Sequence, residues 1–355
     1  MDLYVLDTNF KKIGMIDDYE SVIWTPRYFE PGQFELKMPA GSLNVAILEK
    51  DNYIKRFDDN TVMIIERLDI ITDVENGNYI LASGRCLKSI LDRRIIWKMQ
   101  TYRGTPESVI RSILTRNLIN TGITARNISN FKLGAALGDN PGTIEAQYTG
   151  DVVLDVVLEI CKTYGYGFRI LLDNNNNFVF ELFQGVDRSY NQSENLQVIF
   201  APEFDNLIST EYIEEKTYYK NTALIAGEGE GNERKYNDIG TASGLSRREL
   251  WVDANDIQST WQDENEVEYT YTTAEYNEAL KQRGNEKLAE VAQTIEFSGE
   301  VDTNVLYKYK EDFFLGDVVT AYNEYGVKAA PRITEIVESE DENGYKILPT
   351  FEGWS

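Results

Sequence analysis

Histidine is absent from all 355 residues, and that absence removes much of the chemistry a chain of this size could carry. Ser-His-Asp and Cys-His nucleophile systems use an imidazole as the proton carrier, and His-ligated metal centres use it as a donor. Carboxylate, lysine, tyrosine or Ser/Lys chemistry remains. The carboxylates are abundant, for example Asp263, Glu264, Glu266 and Glu268. Glycoside hydrolysis needs two carboxylates at a set separation across a cleft, and crowding within one charged loop is no evidence of a cleft. The glycine-rich run Gly227 to Gly231 (GEGEG) lacks the spacing of a dinucleotide or P-loop motif and places Glu228 and Glu230 where phosphates would sit. It reads as the exit of a strand. The run Asp173 to Asn177 (DNNNN) begins like a calcium loop, but Phe178 replaces the glycine at position 6 and Gln184 the glutamate at position 12. A hairpin turn explains it better.

Cys86 and Cys161 each lie in an apolar run and read as core residues; two cysteines are too few for a disulfide framework. Trp24, Trp97, Trp251, Trp261, Trp354 and the 22 tyrosines could line a carbohydrate or protein surface, and barrel cores or subunit interfaces would use them equally well. No catalytic, cofactor-binding or metal-ligating residue is assigned, and no cofactor is expected.

The elements that would position these residues follow from length and patterning. A chain of 355 residues should divide into two to four compact units. No run approaches the roughly 18–20 apolar residues of a membrane span, and the start MDLYVLDTNF lacks the basic-then-apolar pattern of a signal peptide. The net charge of −24 disfavours binding to a phosphate backbone. It is also uneven: residues 1–100 carry −3 and residues 228–300 carry −10. An acidic solvated face accounts for this, as does a surface that DNA can pass without sticking.

Residues 1–99 read as short strands. Phe34, Leu36 and Met38 alternate with polar residues, and Leu3 to Leu6, Ser21 to Trp24, Tyr53 to Phe57 and Thr61 to Ile65 are β-rich runs between turn residues. Glu75-Asn76-Gly77 reads as a hairpin turn, and a small closed or nearly closed barrel is the simplest fold for this segment. Residues 100–192 read as an α+β unit. It holds a helix capped by Thr105-Pro106 with the stripe Val109, Ile110, Ile113, Leu114 and Leu118, a second helix from Asp151 to Gly165, and a hairpin from Phe168 to Phe183. A short helix is expected from Arg85 to Leu91. Strands return at Gln197 to Phe200 and Leu207 to Ala226; an acidic stretch then leads to a helix over about 273–293, opened by Thr272 and Glu275 as a capping box and weakened at Gly284. Strands resume to the end. One internal echo, Val74 to Leu81 (VENGNYIL) against Asp341 to Leu348 (DENGYKIL), recurs at an offset of 267 and suggests two related β units, though a common turn arising twice would look the same.

The segments Trp24 to Pro39 (WTPRYFEPGQFELKMP), Gly84 to Ile96 (GRCLKSILDRRII), Thr210 to Gly231 and Tyr309 to Gly353 resemble siphophage tail proteins of the baseplate-hub type, the Gp37-like siphovirus tail proteins. Leu315-Gly316-Asp317 followed by the RITEI strand from Arg332 is the most specific match. The resemblance implies a mixed, β-dominated α+β fold with two similar small β-barrel, tube-like domains and two peripheral α+β domains. On this chain they would be residues 1–99 (first barrel), 100–192 (peripheral), 193–227 with 295–355 (second barrel) and 228–294 (inserted acidic domain). It implies a structural tail-tip hub in the virion, made in the host cytoplasm. Three subunits, presenting six barrels, would cap or extend the tail tube and meet distal-tail ring, tape-measure or tube proteins and fibres. The genome would pass an acidic lumen without specific binding. Larger relatives carry a C-terminal peptidase, lysozyme-like or fibre region where this sequence stops at Ser355, so wall-degrading or receptor-binding work would belong to another protein unless such a region has been lost. The competing readings are a cell-wall or polysaccharide hydrolase and a receptor- or carbohydrate-binding tail protein.

Overall fold

The computed structural model describes the chain except residues 58, 59, 74, 76, 207, 208, 263–266, 301–305, 327, 354 and 355, and except the side chains of residues 209, 210, 262, 294–300, 352 and 353. Strands hold 39% of the residues and helices 21%, so the fold is the β-dominated α+β class expected.

The N-terminal segment folds as β1 (Leu3–Leu6), β2 (Lys12–Ile16), β3 (Ser21–Thr25), β4 (Gln33–Pro39), helix α1 (Ser42–Ile47), β5 (Tyr53–Arg56), β6 (Val62–Ile64), β7 (Arg67–Asp73) and β8 (Gly77–Arg85). One sheet runs β2-β1-β5-β6; β3, β4, β8 and β7 enter a larger sheet. The alternation of β4 does what its sequence dictates, burying Phe34, Leu36 and Met38 against Leu3, Val5 and Ile54 of the other sheet. Gly77 at the β7–β8 turn takes φ +79°, the left-handed region that a glycine enters without strain. Val74 and Asn76 of that turn lie outside the described residues. The short helix expected from Arg85 is a 3-10 turn over Leu87–Arg93.

The next segment contains β9 (Gln100–Gly104), α2 (Pro106–Leu114), β10 (Phe131–Leu133), β11 (Ile144–Tyr148), α3 (Val153–Tyr164), β12 (Gly167–Leu172) and β13 (Phe178–Phe183). Thr105 Oγ1 accepts from the Ser108 amide at 3.2 Å, and a π-helical turn over Thr115–Ile119 extends α2 far enough to bury Leu118 with the rest of its stripe. Gly165 ends α3 at φ +70°. In the β12–β13 turn the Asp173 carboxylate accepts from the amides of Asn175 and Asn177, each at 2.8 Å, and from Asn177 Nδ2 at 2.9 Å. Its oxygens are committed to the hairpin.

The remainder holds β14 (Ile199–Phe200), β15 (Ser209–Glu215), β16 (Thr222–Ala226), β17 (Tyr236–Ile239), β18 (Glu249–Asp253), β19 (Thr260–Gln262), β20 (Glu268–Thr270), α4 (Thr273–Glu290), β21 (Thr294–Glu300), β22 (Thr320–Tyr322), β23 (Lys328–Ala329), β24 (Arg332–Asp341) and β25 (Gly344–Gly353). The strands expected between Leu207 and Ala226 are β15 and β16, with Leu207 itself outside the described residues; β16 pairs with β17 and β18, and α4 lies across that sheet. The capping box of Thr272 and Glu275 forms as read. Gly284 has a packing role that its helix propensity conceals, because a Cβ there would meet Ile225 Cδ1 at 2.8 Å and Ile239 Cδ1 at 2.9 Å. The glycine lets the helix approach the sheet.

Tyr28, inside the WTPRYFEPGQF segment, joins the three parts of the chain. Its amide donates to the Thr334 carbonyl at 2.8 Å, and its hydroxyl donates to the Gly165 carbonyl at 3.0 Å. A Cβ on Gly167 or on Gly316 would fall 2.3 or 2.4 Å from its ring, so both glycines are there to admit it. Arg332 lies 5.2 Å from the ring centroid. Beneath it the buried Lys88 Nζ donates to the carbonyls of Arg27, Tyr28, Phe29 and Glu30 at 2.8–3.2 Å, and burial pulls its pKa down to about 8. The backbone 27–30 is thus wrapped around a cation, which explains why Leu315-Gly316-Asp317 and the Arg332 strand accompany the Tyr28 segment. Tyr28→Ala should lower the unfolding free energy by about 3–5 kcal/mol, the range for emptying a large aromatic site, as read by urea denaturation.

Candidate functional site

The largest sheet has eight strands in the order β15-β21-β25-β24-β3-β4-β8-β7. Its halves repeat one pattern. The β7–β8 hairpin turns at Asp73 and Gly77, and the β24–β25 hairpin turns at Asp341 and Gly344, 267 positions on for the glycine. In the first half Trp24 faces Phe34 and Phe34 faces Gly84; in the second Tyr212 faces Phe297 and Phe297 faces Phe351, and Phe351 again lies 267 positions after Gly84. The order β3-β4-β8-β7 is therefore matched by β15-β21-β25-β24, strand for strand and register for register. The sequence echo marks this repeat, and the two blocks are joined head to tail, the last strand of one against the first strand of the other.

The seam between the blocks is antiparallel, with Glu338 opposite Trp24, Ser339 opposite Ile23 and Glu340 opposite Val22. Glu338 is buried and ion-paired to buried Arg56 at 2.9 Å, while the Tyr345 hydroxyl donates to it at 2.5 Å. Burial, then the Glu338 charge, push the Tyr345 phenol well above its ordinary pKa, so it stays a donor. Arg27 pairs with Glu335 at 2.5 Å toward one end of the seam, and the chain's amino terminus and Tyr19 meet Glu340 toward the other. The outer edges, β7 at one end and β15 at the other, have no neighbouring strand among the described residues. Two open edges of complementary type are the feature most suited to binding another chain.

The residues considered for chemistry do not converge. Cys86 and Cys161 are buried free thiols in separate cores. Glu228 of GEGEG accepts from the Ser259 amide at 2.8 Å and pairs with Lys235 at 2.5 Å, so it closes a turn. Glu268 is exposed on β20, and Asp263, Glu264, Glu266 and Trp354 lie outside the described residues. Trp24 is in the core, Trp97 and Trp251 are exposed, and Trp261 lines a small pocket. Among the described residues no three potential ligands cluster as a metal site.

One titrating group was not legible in the sequence. Glu159 of α3 and Glu286 of α4 approach each other where the helices pack; burial first, then the Glu286 charge, raise Glu159 to about 7, and burial raises Glu286 as well. Lys287 bridges Glu159 at 2.6 Å and Glu290 at 2.7 Å, and the Tyr148 hydroxyl donates to Glu286 at 2.5 Å. Helical spacing gives no sign of this meeting, because the partners are more than 120 residues apart.

The eight-stranded sheet with its flanking α+β units is the fold of phage tail proteins. Three solved structures match it along 99% of this chain: a tail protein from Neisseria meningitidis MC58 (13% identity, 95% of that chain, TM-score 0.56), prophage tail protein gp18 from Listeria monocytogenes EGD-e (14%, 94%, 0.57) and the 43 kDa tail protein of prophage MuSo2 from Shewanella oneidensis (12%, 98%, 0.58). No curated protein sequence matches the chain. Residues 2–351 match the model of the Siphovirus ReqiPepy6 Gp37-like proteins, and the chain belongs to that family.

Two outcomes follow from these contacts. Glu338→Ala, which strands Arg56 in the interior, should cost about 3–5 kcal/mol in chemical denaturation, and pairing it with Arg56→Met should recover most of the loss. Because burial raises the folded pKa of Glu159 above the ordinary carboxylate value of 4.5, the α3–α4 contact is unpenalised below that value, loses stability as pH rises toward 7, and is weakest above it. Protection factors of the α4 amides, which remove the intrinsic pH dependence of exchange, should rise on going from neutral to mildly acidic pH, and Glu159→Gln should flatten that rise.

Proposed function

We propose that this tail protein is the hub of the tail tip, a structural part in which three copies close into a ring with six copies of the four-strand block. The observation that carries this reading is the seam itself. A head-to-tail contact generates a closed ring when its rotation divides the circle, and here one such contact already exists inside the chain, between β24 and β3. The free edges β7 and β15 are the equivalents of β24 and β3, so a neighbouring copy can repeat the same contact. Applying the intrachain register gives Ile70 opposite Tyr212 of the next copy, Ile71 opposite Glu211 and Thr72 opposite Thr210.

Residues 1–99 and residues 193–227 with 295–355 supply the two ring-forming domains on this reading, with 100–192 and 228–294 at the periphery. By ladder parity, the sheet face turned from the core balances Glu35, Asp69 and Asp73 against Lys37, Arg67 and Arg85 in the first block. In the second it places Glu211, Glu215, Glu335 and Asp341 with Lys346. A ring lined by that face would present a net negative wall, which repels a passing phosphate backbone and leaves it no cationic track. The distal-tail ring, tube or tape-measure proteins and fibres are the partners such a hub would meet. No catalytic role is assigned.

The test is a disulfide across the proposed contact. Facing residues of an antiparallel pair have Cβ atoms about 4.5–5.5 Å apart, close enough for a small backbone shift to bridge. In assembled tails, oxidised Ile71→Cys/Glu211→Cys protein should run as a trimer on a denaturing gel without reductant, with nothing above it, and each single variant should run as a monomer. Absence of cross-linking in intact tails, or a ladder extending beyond three, would refute the ring.

A further inference from the structure

Away from the sheet edges, one concavity has chemistry that assembly leaves unused. A pocket of ≈ 280 Å³ opens between the peripheral β9–β11 sheet and the β19–β20 hairpin with the start of α4. Its aromatic side is Trp261, stacked on Tyr269 at 5.8 Å between ring centroids and 17° between planes, and in contact with Tyr271 at 4.4 Å. Its polar side is Arg103, which reaches Glu145 with Nε and Glu275 with Nη1, both at 2.9 Å. Glu275 is oriented by the capping box, and Glu145 is buried with 8% of its surface exposed. The Tyr271 hydroxyl is buried and has no hydrogen-bond partner among the described residues. Leaving a hydroxyl so placed costs about 1–3 kcal/mol, and such a group calls for an explanation.

Each ligand class meets this lining differently. An anion would face two carboxylates against a single guanidinium. A quaternary or primary ammonium would compete with Arg103, which already holds the cation position between those carboxylates. A wholly apolar ligand would strip water from three charged groups and return no hydrogen bonds. A pyranose has a C–H face to lay on an aromatic ring and an edge of hydroxyls that both donate and accept, so it satisfies the two sides at once. The volume lies at the lower bound for small-molecule sites, which suits one sugar unit.

We propose that this pocket binds one pyranose unit of a neutral glycan, its ring face on Trp261 and Tyr269 and its hydroxyls on Arg103, Glu145, Glu275 and the Tyr271 hydroxyl. The binding belongs to the single chain and stands whether or not the ring forms.

The experiment is an NMR titration of the full chain with maltotriose, cellotriose and tri-N-acetylchitotriose, following the Trp261 indole N–H. At least one sugar should shift that resonance saturably with a Kd of about 1 mM or tighter, and Trp251→Ala should leave the shift unchanged. Since Trp261→Ala removes part of the hairpin's own packing, Tyr271→Phe is the sharper variant. It should stabilise the free chain, by deleting an unpartnered buried hydroxyl, and weaken sugar binding about tenfold, the equivalent of 1.4 kcal/mol. The proposal is overturned if none of the three sugars moves the Trp261 resonance, or if Tyr271→Phe binds as tightly as the parent chain.

Discussion

A strand edge carries a row of amide and carbonyl groups that must be hydrogen-bonded to something, and the architecture of this chain follows from where its edges are used. Four strands of each β unit make a block with two edges. Inside the chain one edge of each block is satisfied by the other, at β24 and β3, which leaves β7 and β15 open. Whatever else the molecule does, it keeps one contact and offers its repeat. The buried Arg56–Glu338 pair fits that arrangement: a charge pair in a dry seam adds little net stability but penalises any register that separates its members. Slipping β24 by one residue against β3 would carry Glu338 to the opposite face of the sheet, away from Arg56.

The same constraint explains the concentration of family-like residues in short segments. A two-block sheet is useful only if the blocks keep a fixed angle, and the seam alone has three facing residue pairs. Tyr28 provides the second point of attachment. It is admitted by Gly167 and Gly316, bonded to Thr334, and backed by the carbonyl cage around Lys88. These positions lie far apart in sequence but form one joint, even though none of them touches the sheet edges.

Legibility in the sequence divided along the same line between local and long-range physics. The β4 alternation, the Thr105 cap, the capping box at Thr272 and the left-handed glycines at Gly77 and Gly165 depend on neighbours a few residues away, and each could be read directly. The echo at offset 267 was legible as a repeated hairpin, and it marks the repeated block. The pairing of β24 with β3 joins residues more than 300 positions apart, and no periodicity records it. Gly284 shows how local reasoning misleads: propensity counts it as a weak point, whereas packing requires it for the approach to Ile225. Glu159, Glu286 and Lys88 look like ordinary surface charges in a chain with many of them, and only burial distinguishes them. The Trp261 pocket draws its walls from residues 101–103, 145, 261, 269–271 and 275, so its aromatic and polar sides could not be joined beforehand.

The two kinds of seam differ in a way that bears on how such a ring could assemble in order. The intrachain seam puts a buried, charge-compensated glutamate opposite Trp24, an arrangement formed once during folding, when both strands are always present together. The corresponding register positions between copies would be Ile70 and Tyr212, which need no such compensation. An open edge must also avoid unwanted partners before assembly, and charged side chains along it serve that end. β15 carries Glu211, Glu214 and Glu215, and β7 carries Arg67, Asp69 and Asp73. Like charges on copies of β15 oppose the pairing of β15 with itself, while the head-to-tail register sets Ile71, an uncharged residue, opposite Glu211. The edge chemistry thus disfavours the isologous dimer and leaves the head-to-tail contact, the one geometry of the two that can be repeated around an axis.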